Sequence, residues 1–433
     1  MSDTKVKKNM NLKIYTAWFI LLVVAPAFSQ HITLGTCLDA AQKTAASIKK
    51  EEIEHELGKL NAQIIQTGWL PQISLNGQST YQSDVTGLVV EIPNLRTNPI
   101  NKDQYKTFVD INQLIYDGGA SKIKASIQEI NTKNALTRIQ LANRNILQET
   151  QKIYFSALLA QENRMIWETA REEILTRKNV IETGIRFGAG TKNQLDILTV
   201  ELLKIEQQIT DISTAKKIAV EMLNLITGLN LKSSTSFQIP DDRQNIIPLS
   251  FETYEMKLLH NQQLLVAKNE DLNQSKLRPK ALLFGQSGYG NPALNMLKNE
   301  FETYYLMGIR LNWDLATFYT RKINQKSQRM QNELINQQQN DLKLNLSMQH
   351  KRMSEEVERF EQLILQDQVM ISIRERISKT AESELDQGTI TATQFITEKN
   401  AEKLAKQAFL IHKIQKLAFL QDANLLFESN SSL

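Results

Sequence analysis

The 433-residue chain contains 16 glycines, 8 prolines and a single cysteine, and its formal net charge is +4. So few glycines and prolines indicate long uninterrupted elements, one cysteine excludes an internal disulfide, and the small, dispersed charge indicates no nucleic-acid partner. The five histidines are scattered, and neither a phosphate loop nor a nucleophile elbow occurs, so the sequence indicates no enzyme and no cofactor or metal site.

The N-terminus has the pattern of a secretory signal peptide. Four lysines precede an apolar stretch, Ala17 to Ala25, which ends at Pro26 and small residues. The stretch is shorter than the roughly 20 apolar residues of a transmembrane anchor, and the order basic, apolar, small is that of a cleaved leader. We therefore predict a signal peptide over residues 1–29. Cys37 lies beyond it and is interpreted as a small apolar residue near a helix start.

The first elements after the leader are a helix and two strands. Residues from Cys37 to Thr67 predict a helix that stops before Pro71. Two segments with period-2 alternation follow, over residues 72–83 and 105–116, and a polar loop with prolines at 93 and 99 joins them. The alternation indicates strands with one polar and one mostly apolar face.

A very long helix comes next, because Ala120 to Thr183 contains neither glycine nor proline. At 1.5 Å per residue it is on the order of 100 Å long. A seven-residue repeat of apolar residues predicts a left-handed supercoil against a neighbour, and a second seam predicts neighbours on two sides, as in a wall or ring of helices. The repeat comprises Ile139, Ile146, Ile153, Ala160, Trp167, Ile174 and Ile181. The second seam comprises Leu147, Tyr154, Leu158 and Met165.

The second half of the chain repeats this order. A glycine-rich turn over 184–192 leads into a returning helix, Thr191 to Thr227, and a similar turn is predicted over 386–390. Asp117 precedes Gly190 by 73 positions, and Asp314 precedes Gly388 by 74. A chance match in both order and spacing is improbable, so the sequence predicts a duplication.

We assign repeat 1 to residues 30–230 and repeat 2 to residues 251–428, with a linker over 231–250 and a tail over 429–433. Repeat 2 begins with a helix near Phe251 to Lys276. Its strands are predicted over 281–289 and 303–313, and a second long run without glycine or proline follows them.

Four alternating strands leave two interpretations open. One is a small soluble sheet that caps a helical bundle. The other is a set of outer-membrane barrel strands, but known barrels start at eight strands and an open sheet edge cannot face lipid. In the membrane, several chains would therefore share one barrel, and three chains would supply twelve strands. The signal peptide and the long helices favour the membrane.

In order, spacing and duplication the motifs resemble the TolC family of outer-membrane efflux and secretion channels, over essentially the whole mature chain. The similar motifs are Trp69-Leu70-Pro71 before the first strand, Tyr116-Asp117-Gly118-Gly119 after the second strand, Arg186-Phe187-Gly188-Ala189-Gly190 followed by Leu195-Asp196-Ile197-Leu198 at the first turn, and Leu385-Asp386-Gln387-Gly388-Thr389 at the second turn.

The resemblance implies a mainly α protein with a membrane β part. Four strands per chain would join a 12-stranded barrel of a homotrimer, embedded in the lipid of a Gram-negative outer membrane and continued by a coiled α-helical tube through the periplasm. It also implies a passive duct that exports small molecules, powered by an inner-membrane pump of the RND, ABC or MFS type. A periplasmic adaptor would dock at the hairpin tips, at Gly188, Gly190, Thr191, Gly388 and Thr389.

The resemblance further implies an entrance at the periplasmic end. Well-studied members of the family carry acidic residues after the second tip glycine, which form a ring there. Gln394 and Thr397 occupy those positions in this chain, so a charged ring is not expected from them. Asp196 matches an acidic position after the first turn and is the third entrance candidate. Its alternative interpretation is a helix-start carboxylate favoured by the helix dipole.

Two other functions stay open from the sequence. The same duct would serve a type I secretion system for proteins or peptides, because the pump selects the cargo. A soluble periplasmic adaptor or coiled-coil scaffold would explain the signal peptide and the long helices, but not a strand pair before each long helix.

Overall fold

A computed structural model describes residues 31–86, 100–188, 190–241 and 246–427. The predicted leader over 1–29, the prolines at 93 and 99 and the predicted tail over 429–433 lie outside the described residues. In the first half the elements are β1 (His31–Ile32), α1 (Leu34–Thr44), α2 (Ser47–Thr67), β2 (Gln72–Tyr81), β3 (Asp103–Tyr116), α3 (Ala120–Arg186) and α4 (Lys192–Thr227). In the second half they are β4 (Ser236–Phe237), α5 (Tyr254–Ser275), β5 (Lys280–Asn291), β6 (Glu302–Asn312), α6 (Thr317–Asp386) and α7 (Ala392–Phe427).

The order helix, strand pair, long helix, returning helix occurs twice, so the predicted fold class is confirmed. The long helices α3 and α6 have 67 and 70 residues, which corresponds to lengths of about 100 Å. Each forms a hairpin with the helix that follows it, α3 with α4 and α6 with α7. The four main strands gather at the end of the molecule opposite the two hairpin tips.

The predicted helix from Cys37 to Thr67 is two helices, α1 and α2. The break lies at Ala46, whose φ of 49° is left-handed, a conformation that costs an L-residue roughly 1–2 kcal/mol. Tertiary contacts hold it in place, because Cys37 is fully buried in the core and the Thr44 hydroxyl donates to the Thr227 carbonyl at 2.7 Å. No sequence pattern marks the break, since alanine is the strongest helix former.

The main core surrounds the short parallel sheet of β1 and β4. Helices α1, α3, α4 and α7 contribute to it, and Phe237 of β4 is 2 % exposed. The fully buried Tyr154 hydroxyl lies 3.0 Å from the Ile32 carbonyl and 2.6 Å from the Gln238 carbonyl, and the two carbonyls share its single O–H donor. The segment predicted as a linker therefore holds β1 against α3.

The seven-residue stripe on α3 is an inward-facing seam. Ile153, Ala160 and Ile174 are buried, and the other members are half-buried. The second seam follows the prediction at Leu147, Tyr154 and Leu158, which are all buried. Met165, in contrast, is 59 % exposed, because the neighbouring helix leaves a cavity at its level.

The four long strands form one antiparallel sheet in the order β2-β3-β5-β6. The strand pair of repeat 1 joins that of repeat 2 through β3 and β5, with Val109 opposite Ser287 and Ile111 opposite Gly285. The register is continuous except for a bulge between Leu114 and Tyr116. One sheet is therefore built from both repeats.

Candidate functional site

The sheet presents one apolar face that nothing covers in the described part of the chain. The cross-strand partners Leu283–Ile309 and Gly285–Met307 lie on this face. The exposed large apolar residues of this face include Ile73, Leu75, Tyr105, Ile111, Leu283, Tyr289, Tyr305, Met307, Ile309 and Leu311, with Met307 and Ile309 72 % and 71 % exposed. An exposed patch of this extent on a sheet marks a contact with lipid or protein.

The opposite face of the sheet is polar and internally bonded. The Asp110 carboxylate of β3 accepts a hydrogen bond from Asn76 of β2 at 3.0 Å and one from Gln286 of β5 at 2.9 Å. Arg310 of β6 lies 4.8 Å from the centroid of the Phe284 ring. Hydrogen bonds thus join polar side chains of β2, β3 and β5 on a face that suits water.

Both edges of the sheet are open. Within the described residues, β2 pairs only with β3 and β6 pairs only with β5. In the part of the chain that the structure describes, the outer backbone groups of β2 and β6 have no partner strand, although β2 has 10 residues and β6 has 11. Long edges of this kind readily accept another strand.

The first hairpin tip is built by one left-handed glycine and one helix cap. Gly188 has a φ of +78°, and its N–H donates to the Ile185 carbonyl at 3.1 Å. Thr191 and Gln194 form a reciprocal capping box at the start of α4: the Gln194 N–H donates to the Thr191 hydroxyl at 3.3 Å, and the Thr191 N–H donates to the Gln194 side chain at 3.0 Å. Phe187 projects into solvent and is 83 % exposed; Ala189 lies outside the described residues.

The second hairpin tip reproduces this geometry. Gly388 has a φ of +74°, and Thr389 donates through its N–H and its hydroxyl to the Glu384 carbonyl at 2.9 Å each. The Thr391 N–H donates to the Gln394 side chain at 2.8 Å, and the Gln394 N–H donates to the Thr391 hydroxyl at 3.3 Å. Both tips therefore combine a left-handed glycine with a Thr-x-x-Gln cap.

The structurally equivalent glycines are Gly188 and Gly388. The spacing of the two repeats in the sequence pairs Gly190 with Gly388, and that pairing is wrong. Gly190 does not have a positive φ. A Cβ there would lie 3.0 Å from the Ile185 side chain and 3.3 Å from the Ile181 carbonyl, so close packing explains this glycine. With Gly188 as the reference, α6 is longer than α3 by three residues, about 4.5 Å.

The three entrance candidates lie near the tips, in different surroundings. Asp196 is exposed on the first turns of α4. The Gln394 side chain is engaged in the cap of α7, a role that the sequence comparison missed although Gln194 stands at the same offset from its glycine. Thr397 is exposed and donates to the Thr393 carbonyl at 2.9 Å. Gln394 and Thr397 both line a hollow of about 550 Å³ on the second hairpin.

Arg177 is a residue of the tip region that sequence reasoning missed. Its side chain, 8 % exposed, joins α3 to the second hairpin: it donates to Asp386 at 2.6 Å and to the Glu382 carbonyl at 2.7 Å. The guanidinium also lies 5.5 Å from the centroid of the Phe395 ring. The sequence around Arg177 did not indicate its partners, because its two acceptors lie more than 200 residues away in sequence.

Helices suited to crossing a membrane are not found in the described ranges, since none is both long and apolar enough. The same ranges contain no cluster of three or more His, Cys, Asp or Glu side chains with the geometry of a metal site.

Solved structures of outer-membrane proteins, among them two channels, share this fold. VceC of Vibrio cholerae is 13% identical, covers 90% of this chain and 94% of its own, and superposes with a TM-score of 0.68. CmeC of Campylobacter jejuni is 15% identical, with coverage of 92% and 87% and a TM-score of 0.65. MtrE of Neisseria gonorrhoeae, solved in an open state, is 11% identical, with coverage of 92% and 89% and a TM-score of 0.66. At these identities the likeness shows the fold.

The fold is thus that of an outer-membrane channel subunit. Residues 37–229, which lie in the first repeat, match the model of the outer membrane efflux protein family. No curated protein matches the chain in sequence. The predicted resemblance to the TolC family is confirmed, because the first repeat carries the family match and 90% of the chain superposes on the fold of VceC.

Proposed function

We propose that the protein is a passive trimeric duct that exports small molecules across the periplasm and the outer membrane of a Gram-negative bacterium. The observation that carries this proposal is the four-stranded sheet with an apolar face, a polar face and two open edges. The sheet stands at one end of helices about 100 Å long, which is far more than a compact domain requires.

The open edges argue for several copies. In lipid every backbone polar group needs a partner within the protein, so the edges formed by β2 and β6 must pair with those of other copies. Two copies would give eight strands, and side chains fill the interior of a barrel of that size. Three copies give twelve strands and leave room for an aqueous passage lined by the polar face.

The exposed apolar residues of the helices support the same assembly. On α4, Val200 and Leu203 are 51 % and 56 % exposed, and on α6, Ile373 and Ile377 are 41 % and 39 % exposed. These residues lie at similar distances along their helices from the tip glycines. In a ring of copies, α4 of one copy and α6 of the next would bury them against each other and close the wall of the tube.

The two tips are the proposed contacts of the partners. An adaptor would meet the six tips of a trimer at Gly188, Gly190, Thr191, Gly388 and Thr389, where the backbone reverses sharply. An inner-membrane pump would supply the energy, and Asp196, Gln394 and Thr397 would stand near the periplasmic entrance.

The decisive experiment determines the mass and the conductance of the purified protein. We expect a trimer in non-ionic detergent, with a band in dodecyl sulfate gels that shifts on heating, and single-channel conductance in planar bilayers. Cells that lack the protein should retain a fluorescent dye such as ethidium, and the cloned gene should restore its export. A protein that is monomeric and fully soluble without detergent would contradict the proposal.

A further inference from the structure

A cavity of about 380 Å³ lies in the seam between the two hairpins, where α3 and α7 pack antiparallel. Along α3 its lining runs from Glu162 to Ile174, which is about 18 Å at 1.5 Å per residue. The floor is apolar, and its residues come from all four helices: Ile166, Ala170, Ile205, Ile371, Ile396 and Leu410. A long apolar trough of this volume has the size of a small-molecule site.

Three lysines of α7 line this trough, and two of them are neutralised. Lys399, Lys403 and Lys406 follow each other at helical spacing, so they share one face of α7. The Lys399 ammonium lies 3.1 Å from the Glu173 carboxylate, and the Lys406 ammonium lies 2.6 Å from Glu402. Lys399 and Lys406 thus each have an ion-pair partner within the seam.

Lys403 is different, because it is buried without an ion pair. The residue is 8 % exposed, and its ammonium has no carboxylate within ion-pair distance among the described residues. It donates to the Asn400 side-chain oxygen at 2.7 Å and lies 3.8 Å from the centroid of the Trp167 ring. An ammonium has three donors, so donor capacity remains. Burial lowers the pKa of Lys403, while the nearby Glu201 carboxylate raises it.

The indole beside Lys403 has an unused donor of its own. The Trp167 Nε1–H is buried and has no acceptor within the described residues. Buried polar groups in proteins nearly always have a partner. Two touching side chains, one from each hairpin, therefore both have unused donors, and one of them, Lys403, lines the trough.

We propose that this cavity is a binding site for a long-chain anionic amphiphile. Its carboxylate accepts from Lys403, and its alkyl chain lies along the apolar floor. A small inorganic anion would use Lys403 and leave the floor empty, whereas a neutral alkyl chain would leave the ammonium without an ion-pair partner. The site is separate from the sheet and from the hairpin tips, so the proposal does not rest on the export function.

Quenching of Trp167 fluorescence tests this directly. Trp69 and Trp313, near the sheet, and Trp18, in the predicted leader, are changed to Phe so that Trp167 alone reports. The protein is kept in a non-ionic maltoside detergent and titrated with bromododecanoate or, in parallel, with bromododecanol. We expect saturable quenching by the carboxylate at one site per chain, and an affinity for the alcohol that is lower by about tenfold or more.

Two variants of matched size complete the test. Lys403→Met should weaken binding of the carboxylate about tenfold or more. Quenching by bromododecanoate measures this in the protein with Trp167 alone, and calorimetry with dodecanoate measures it in the protein that keeps all tryptophans. Lys413→Met, on the same helix but outside the cavity, should leave the affinity unchanged. Melting curves check that each variant is folded.

Three results would overturn the proposal. The first is equal quenching by the carboxylate and the alcohol, which indicates partition into the detergent micelle. The second is an affinity that Lys403→Met does not change. The third is the absence of saturable quenching, which shows that the cavity is closed in the assembled protein.

Discussion

At the residue scale, Arg177 links the two hairpins close to their tips. Hydrogen bonds that involve a charged group contribute about 1.5–3 kcal/mol, and Arg177 forms two of them, with Asp386 and the Glu382 carbonyl. We expect Arg177→Met to lower the melting temperature and to speed hydrogen exchange over residues 385–395, because the second hairpin loses its anchor on α3. Arg171→Met is the control, since Arg171 is exposed and lies 3.8 Å from Glu206; an equal effect of both changes would contradict the role of Arg177.

Glu402 makes the seam sensitive to acid. Burial raises the pKa of Glu402. Hydrogen bonds, led by the one from Lys406, and the charges of Lys399 and Lys406 lower it by more than burial raises it, so the net pKa lies below the ordinary value for glutamate. A carboxylate with a lowered pKa stabilises the folded state above its unfolded pKa, and this stabilisation is lost as the pH falls through the folded value.

The corresponding prediction concerns the difference between two melting temperatures. Glu402→Gln should melt below the unchanged protein at pH 7, and this difference should shrink as the pH falls below about 4.3, the ordinary value for glutamate. Circular dichroism at 222 nm between pH 3 and pH 8 measures it. A difference that stays constant across this range would show that Glu402 does not titrate with folding.

At the scale of the elements, each hairpin depends on the cap that starts its returning helix. Removal of a threonine N-cap costs about 1 kcal/mol. We therefore expect Thr191→Ala and Thr391→Ala to increase hydrogen exchange in the first turns of α4 and α7, each at its own tip. Thr393→Ala is the control, because its hydroxyl donates no hydrogen bond to any of the described residues. Equal exchange in all three variants would mean that the caps do not hold the tips.

The two long helices are not copies of one length. They end in tips of the same geometry, yet α6 has three residues more than α3. Three residues are close to one helical turn. The two tips therefore have similar orientations about their helix axes, while their distances from the sheet differ. A partner that contacts both tips meets two chemically different surfaces, with the exposed Phe187 before the first glycine and Gln387 before the second.

At the scale of the whole molecule, the proposed lipid contact of the sheet can be tested by one substitution on each face. An arginine on the lipid face of a membrane barrel costs about 2–4 kcal/mol at the midplane. Met307→Arg should therefore reduce the heat-shifted trimer band in membranes, because Met307 is 72 % exposed on the apolar face near the middle of β6. Ser74→Arg, on the polar face opposite Asp110, should leave the band intact. Equal tolerance of both changes would argue against lipid contact.

Much of the architecture follows from local patterns in the sequence. Period-2 alternation located the strands, since successive side chains of a strand point to opposite faces. The seven-residue stripe from Ile139 to Ile181 predicted a helix that packs along one seam. Glycines located the two turns, because only a left-handed residue allows so sharp a reversal at low cost. The duplication followed from the order and spacing of these signals.

The features that the sequence did not reveal depend on partners far away in the chain. The break at Ala46, the burial of Phe237, the pairing of β3 with β5 and the anchor of Arg177 on Asp386 all join segments separated by many residues. The equivalence of Gly188 and Gly388 also required dihedral angles, since Gly190 gives a nearly equal spacing.

The sequence by itself determined the order and approximate lengths of the long helices and of the four main strands, because periodicity and glycine placement act within a few residues. Only the tertiary structure decided how both repeats share one sheet, which glycines turn the tips and where the seam leaves Lys403 beside an open cavity. These depend on contacts between helices and strands that are distant in sequence, and packing at that range leaves no periodic signal along the chain.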